Sequence, residues 1–186
     1  NFMDGINGIT GGYSLVILAT LAYVDSRIVD FVNVDIIYTV ICAVLVFNFF
    51  NFRKRAKCFA GDVGSVSIAF ILLFLIGKLM IVTDDFSWIV LLVVYGVDST
   101  LTLVHRLLLH EDVTLPHRKH AYQLMANELK LPHAVVSLIY MALQALVIVG
   151  YFFSAGHGYI YLLSAILLLS IAYLLFMMKY FRLHKG

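Results

Sequence analysis

Six stretches of this chain stay apolar for nearly the length a helix needs to cross a bilayer, and no other feature limits its possible folds so strongly. A hydrocarbon core of about 30 Å is spanned by about 20 helical residues. The runs fall at about residues 12–25, 33–51, 65–83, 87–104, 133–153 and 159–180, the first being the shortest and least marked. Their continuous apolarity favours helices over barrel strands, which alternate polar and apolar residues in segments of about ten. Composition agrees. Hydrophobic residues make up 62% of the chain and charged ones 13%, whereas soluble domains carry roughly 45–50% and 25%. The predicted fold is an all-α, polytopic transmembrane helix bundle of about six spans, a single integral membrane domain over residues 1–186.

Charge orients the bundle. Arg53, Lys54, Arg55 and Lys57 share one connector, Arg106, Arg118, Lys119 and Lys130 the long one, and Lys179, Arg182 and Lys185 the tail. Six alternating helices bring all of these to one side. Apart from Arg27, the opposite side is acidic, with Asp25, Asp30, Asp84 and Asp85. The positive-inside rule places the basic side in the cytoplasm. Three polar stretches converge on that face: "NFMDGINGITGG", "CFAGDVGS" and "PHRKHAYQ". The two cysteines, Cys42 in an apolar run and Cys58 in a basic connector, suggest no disulfide framework.

Each stretch admits a structural and a chemical reading. In the first, Asn1, Asp4 and Gly8 recur at helical spacing with Asn7 beside them, so amides and a carboxylate would line one face. Gly5 and Gly8 would let a ligand or another backbone approach closely; the alternative is a polar loop capping the first span. In the second, Asp62 stands between glycines where an apolar helix begins. It fits an N-cap, or a single carboxylate ligand to magnesium bound with a substrate phosphate. Phe59 offers a stacking face or an interfacial anchor.

In the third stretch, Pro116 fits a first helical turn. Behind it His117, Arg118, Lys119 and His120 gather where free backbone N–H groups favour anions, a phosphate site or a basic segment touching anionic lipid. A zinc site on His117 and His120 is the weaker reading, for want of neighbouring Cys or acidic ligands. Asp98, inside an apolar run, reads as functional, or as a buried acid satisfied by a partner in the adjoining Ser-Thr pair.

The three motifs, in this order and with helices between them, resemble the polyprenyl-phosphate N-acetylhexosamine-1-phosphate transferases of the glycosyltransferase 4 type. That resemblance implies transfer of a sugar 1-phosphate from a UDP-N-acetylhexosamine to undecaprenyl phosphate, releasing UMP and starting a cell-wall or surface polysaccharide. It implies Mg2+ as cofactor, with Mn2+ as a substitute, held by Asp62. It assigns Phe59 to stacking on uracil, Gly5, Ile6 and Asn7 to reading the base, and Asn1 and Asp4 to the adjoining polar pocket. His117, Arg118 and His120 would engage the phosphates, and Asp98 stands as a further substrate-binding candidate. The expected setting is the bacterial inner membrane, with the site facing the cytoplasm. The lipid bilayer is a partner, a homodimer is allowed, and no nucleic acid is expected.

Two departures qualify the resemblance. The family commonly has Asp where this chain has Asn7, although an amide can both donate and accept. Family members also carry an upstream Asp-Asp motif on the cytoplasmic side, whereas the Asp84–Asp85 pair here falls on the other side. The chain therefore resembles a C-terminal half, and an inactive fragment stands as one alternative. A transporter or an assembly subunit are the others. A transporter is expected to gather polar groups near the midplane, and an assembly subunit has no need of a glycine-flanked aspartate.

Overall fold

The computed structural model describes residues 4–112, 118–154 and 156–180, and among these the chain is helical, with no strand. Seven helices follow in order: α1 (Ile9–Arg27), α2 (Val34–Asn51), α3 (Gly61–Thr83), α4 (Val93–Leu108), α5 (Ala121–Asn127), α6 (His133–Phe153) and α7 (Gly158–Tyr180). A 3-10 segment, Phe86–Leu92, runs directly into α4 and completes the fourth span. Six helices are long and apolar enough to cross a membrane, so the all-α, six-span reading holds. Short α5 lies in the long connector between the fourth and fifth spans.

The shortest of the predicted spans is the central one. α1 packs on α2, α6 and α3, and 61% of its apolar stretch is buried inside the bundle, against 17% for α2 and α7. A helix covered by protein need not be as apolar as one facing lipid, and small residues let its neighbours close in. Gly11, Gly12 and Ser14 are buried on α1, alongside Ile9, Tyr13, Ile17, Leu18 and Leu21. The lipid-facing helices instead show large apolar side chains such as Phe70 and Phe74 on α3 and Leu167 and Leu168 on α7.

The change from 3-10 to α winding at Leu92 leaves backbone groups that an apolar interior cannot hydrate. Buried Gln144 of α6 meets them: its Nε2 donates to the Val90 carbonyl at 2.9 Å and its Oε1 accepts from the Val94 N–H at 3.3 Å. The Tyr13 hydroxyl donates to the same Oε1 at 2.5 Å, and the Tyr13 ring stacks on Tyr95 at 3.6 Å. One polar knot thus joins α1, α4 and α6 inside the bundle.

At the acidic end, Asp25 Oδ1 accepts from the N–H groups of Phe31 and Val32, each at 3.0 Å, closing the turn into α2. Asn33 caps α2 by accepting from the Asp35 N–H at 2.9 Å. The described parts of the three predicted motifs lie together at the other, basic end.

Candidate nucleotide and lipid site at the basic end

The opening stretch is not the helix its spacing predicted. Residues 5–8 form a bend and a turn, and α1 begins at Ile9. Gly8 has φ +86°, a left-handed conformation that L side chains rarely adopt, and a Cβ there would collide with the Phe52 ring at 2.1 Å. Asn1 lies outside the described residues. Asp4 accepts from the Thr10 hydroxyl at 2.6 Å, and the Ile6 side chain is buried in the core. Gly5 passes so close to Tyr122 that a Cβ would stand 2.5 Å from its hydroxyl oxygen. Asn7 is a junction: its N–H donates to His133 Nδ1 at 3.3 Å, its carbonyl accepts from Ser137 Oγ at 3.0 Å, and its Nδ2 donates to the Arg53 carbonyl at 3.0 Å.

The loop carrying the second motif is tied to the first by one residue the sequence reading missed. Asn51, buried at the end of α2, accepts from the Gly8 N–H through Oδ1 at 2.7 Å. Its Nδ2 donates to the Cys58 carbonyl at 2.8 Å. The signal was a polar residue closing an apolar run, which inside a membrane protein needs a partner. Beyond that clamp, Phe59 projects outward with 73% of its surface exposed. Asp62 does not cap α3; Ala60 occupies that position, and Asp62 sits exposed in the first turn. A carboxylate there still meets the positive end of the helix dipole.

The third motif begins its helix later than predicted. His117, like Pro116, lies outside the described residues, and α5 starts at Ala121, after His120. Arg118 is exposed. Lys119 forms an ion pair with Glu111, which also lies 3.4 Å from Arg106 Nε. The Lys119 hydrogen bond, more than any other cause, holds the Glu111 carboxyl below its ordinary range. His120 is 2% exposed and faces inward, its Nδ1 3.4 Å from Asp98 Oδ1. Asp98 is equally enclosed. Tyr140 donates to its Oδ2 at 2.5 Å, and Thr102 Oγ1 and the Ala121 N–H donate to its Oδ1 at 3.2 and 3.1 Å. Of the residues expected to touch substrate, these two therefore stand inside the bundle, while Phe59, Asp62 and Arg118 stand on its surface.

An open groove of about 320 Å³ starts beside these loops, between α1, α3 and α4. Asp4, Thr10, Ser65 and Ser99 give it polar groups, and Ile68, Leu72, Leu73 and Leu92 line its apolar part. Ser65 lies one helical turn after Asp62, so the carboxylate of the second motif and the groove share one edge of α3. Gly96 lines the groove, and a Cβ added there meets no atom within 4 Å. The arrangement suits an amphiphile: a long apolar chain in the groove, with a polar head toward the basic-end loops.

Fold and site together define a multi-pass membrane protein whose polar loops gather at one end beside an open, largely apolar groove. Comparison with known proteins shows what the chain is similar to. Residues 1–83 match the family described as Glycosyl transferase family 4. The "Probable undecaprenyl-phosphate N-acetylglucosaminyl 1-phosphate transferase" of Bacillus subtilis (strain 168) is 31% identical over 132 residues, 68% of this chain and 36% of that protein. A "Phospho-N-acetylmuramoyl-pentapeptide-transferase" of Lactobacillus acidophilus is 35% identical over 68 residues, 37% of this chain and 21% of that protein. No solved structure matches the chain significantly. The matched region spans about a third of the length of the first relative and a fifth of the second. The family resemblance read from the motifs is borne out: this chain is related to the glycosyl transferase family 4 proteins.

Proposed function

We propose that this chain forms part of a transferase that moves N-acetylhexosamine 1-phosphate from a UDP-sugar to undecaprenyl phosphate, leaving UMP, at the cytoplasmic face of a bacterial inner membrane. One observation carries the reading. The three motif loops are tied to one another, through Asn51 and Tyr122, at the mouth of a groove lined largely by apolar side chains. The relatives' names supply the polyprenyl phosphate and the sugar.

In this reading the exposed Phe59 ring stacks on the base, and Asn7 Oδ1 and the backbone of Gly5 and Ile6 face its edge. Arg118 holds the diphosphate. The polyprenyl phosphate enters sideways from the bilayer, its chain along Leu72 and Leu73 and its head near Asp4 and Ser65. The acceptor phosphate is already an anion at neutral pH, because its second pKa is near 6. The obstacle is therefore repulsion between two anions, which fixed positive charge relieves. Among the described residues no three His, Cys, Asp or Glu side chains gather to cage a metal. The exposed carboxylate of Asp62 nonetheless fits magnesium, which is bound by one or two carboxylates together with substrate phosphates. Such an ion supplies charge neutralisation at the diphosphate. One phosphoanhydride is broken and one made, so the transfer is reversible.

The test is transfer of labelled sugar phosphate from UDP-GlcNAc and other UDP-N-acetylhexosamines to undecaprenyl phosphate by the full protein in lipid, with and without magnesium. Back-reaction with excess UMP is expected. Absence of transfer with every donor, together with unchanged UDP binding in Asp62→Asn, would sink the reading. Gly96→Leu puts a side chain into the groove from a position where an added Cβ meets no atom within 4 Å, and should raise the KM for the lipid acceptor while leaving nucleotide binding unchanged.

A further inference from the structure

The polar cluster around Asp98 ties four elements together at the level where the spans meet the basic-end loops. Asp98 is 3% exposed, and its two carboxylate oxygens receive donors from α4 (Thr102), α5 (the Ala121 N–H) and α6 (Tyr140). Thr102 in turn lies 2.8 Å from the Tyr173 hydroxyl of α7. Burying a carboxylate this deeply is costly unless its oxygens are hydrogen-bonded. The Ala121 N–H is the donor that the start of α5 adds to Oδ1, beside Thr102. His120 sits against the same carboxylate, and its ring stacks at 5.6 Å on Tyr122. Tyr122 then touches the backbone of Gly5 in the opening loop. Burial, added to by the charges of Asp98 and Asp4, keeps its phenol well above the ordinary range and hence protonated.

We propose that Asp98 is a positioning residue: held by Tyr140 and Thr102, it fixes the start of α5, and thereby sets both the Arg118–His120 segment and, through Tyr122, the opening loop. This rests on the transfer reading of the same basic-end site, and replaces direct contact between Asp98 and substrate with action through its neighbours. The two surface motifs that straddle α4 in the sequence are then one mechanical unit. Asn51 links the opening loop onward to the Phe59–Asp62 loop, so the unit reaches all three motifs.

The test uses the full protein in lipid nanodiscs, with Asp98→Asn, Tyr140→Phe, His120→Gln and the double variant Asp98→Asn/His120→Gln. Transfer kinetics with UDP-GlcNAc and amide hydrogen exchange are both read. A positioning role predicts that Asp98→Asn lowers kcat roughly tenfold to hundredfold with donor KM within about twofold. It predicts a smaller loss in Tyr140→Phe, and a double variant no worse than its worse single parent. Exchange should quicken at Ala121 and across residues 5–8. Multiplying effects in the double variant, or a raised KM with kcat preserved, would mean direct substrate contact and overturn the proposal. So would unchanged exchange at Ala121, whatever the activity. If the wild type transfers nothing, the transfer reading fails, while exchange still decides the positioning role. Should Asp98→Asn not fold, Tyr140→Phe and Thr102→Val carry the same exchange test.

Discussion

The two ends of the bundle use their polar side chains in opposite ways. At the acidic end the carboxylates serve the backbone: Asp25 accepts from Phe31 and Val32, and Asp85 accepts from the Ser87 N–H at 2.8 Å. At the basic end the ties between loops are made largely by neutral amides, Asn7 and Asn51, while Asp62 and Arg118 are exposed. Neutral amides can knit loops beside an anion site without adding charge to it. Charge at one end closes turns; at the other, Asp62 and Arg118 stay on the surface while Asp98 and Arg106 are enclosed.

Substitutions can break that contrast. The largest effect is expected from Asp62→Asn, which should reduce transfer by about a hundredfold or more and cost at most about 1 kcal/mol of stability, the value of an exposed charge at a helix N-terminus. Activity and thermal unfolding measured on the same preparation check this, and a matching loss of both would place Asp62 among the structural carboxylates. Asn51→Ala should remove two hydrogen bonds and leave two backbone groups unsatisfied, at a cost of about 2–3 kcal/mol. Because it unties both loops, nucleotide affinity should fall with it, as a calorimetric titration with UDP would show. Asp25→Ala is the mirror case. It should destabilise by about 2 kcal/mol yet leave kcat and KM of the surviving folded protein unchanged.

The smallest effect is a pH dependence. Folding lowers the pKa of Glu111 through Lys119 and then Arg106. A carboxyl with a lowered folded pKa adds stability above its unfolded pKa and loses it as pH falls through the folded value. The contribution is thus complete at neutral pH and declines only below the ordinary value of 4.5. Thermal midpoints taken from pH 7 down to 3.5 should show a steeper acid loss in the wild type than in Glu111→Gln. Identical profiles would remove Glu111 from the account of how the long connector is held.

The six spans were legible because lipid imposes a demand on every residue facing it, and length with apolarity records that demand directly. α1 looked weakest for the same reason: protein, not lipid, surrounds it, so Gly11, Gly12 and Ser14 could replace bulk with close contact. The convergence of the three motifs was also readable, since alternating helices and one-sided positive charge leave few arrangements. Helix starts were less so. Spacing suggested a helix through residues 1–8, but Gly8 takes a left-handed turn that the Asn51 hydrogen bond holds. Asp62 looked like a cap because it flanks an apolar run, although helix α3 begins one residue earlier.

By itself, then, the sequence determined what kind of molecule this is: a membrane bundle with a sided charge, three polar motifs on one face and a family resemblance carried by their order. Only the tertiary structure decided which polar residues face out and which hold the others in place. His120 and Arg118 are two positions apart, yet one is enclosed against Asp98 and the other is exposed. Asn51 and Asp98 matter through partners 43 and 42 residues away in the chain. A hydrogen bond needs two groups at one point in space, and residue type reports only half of each pair.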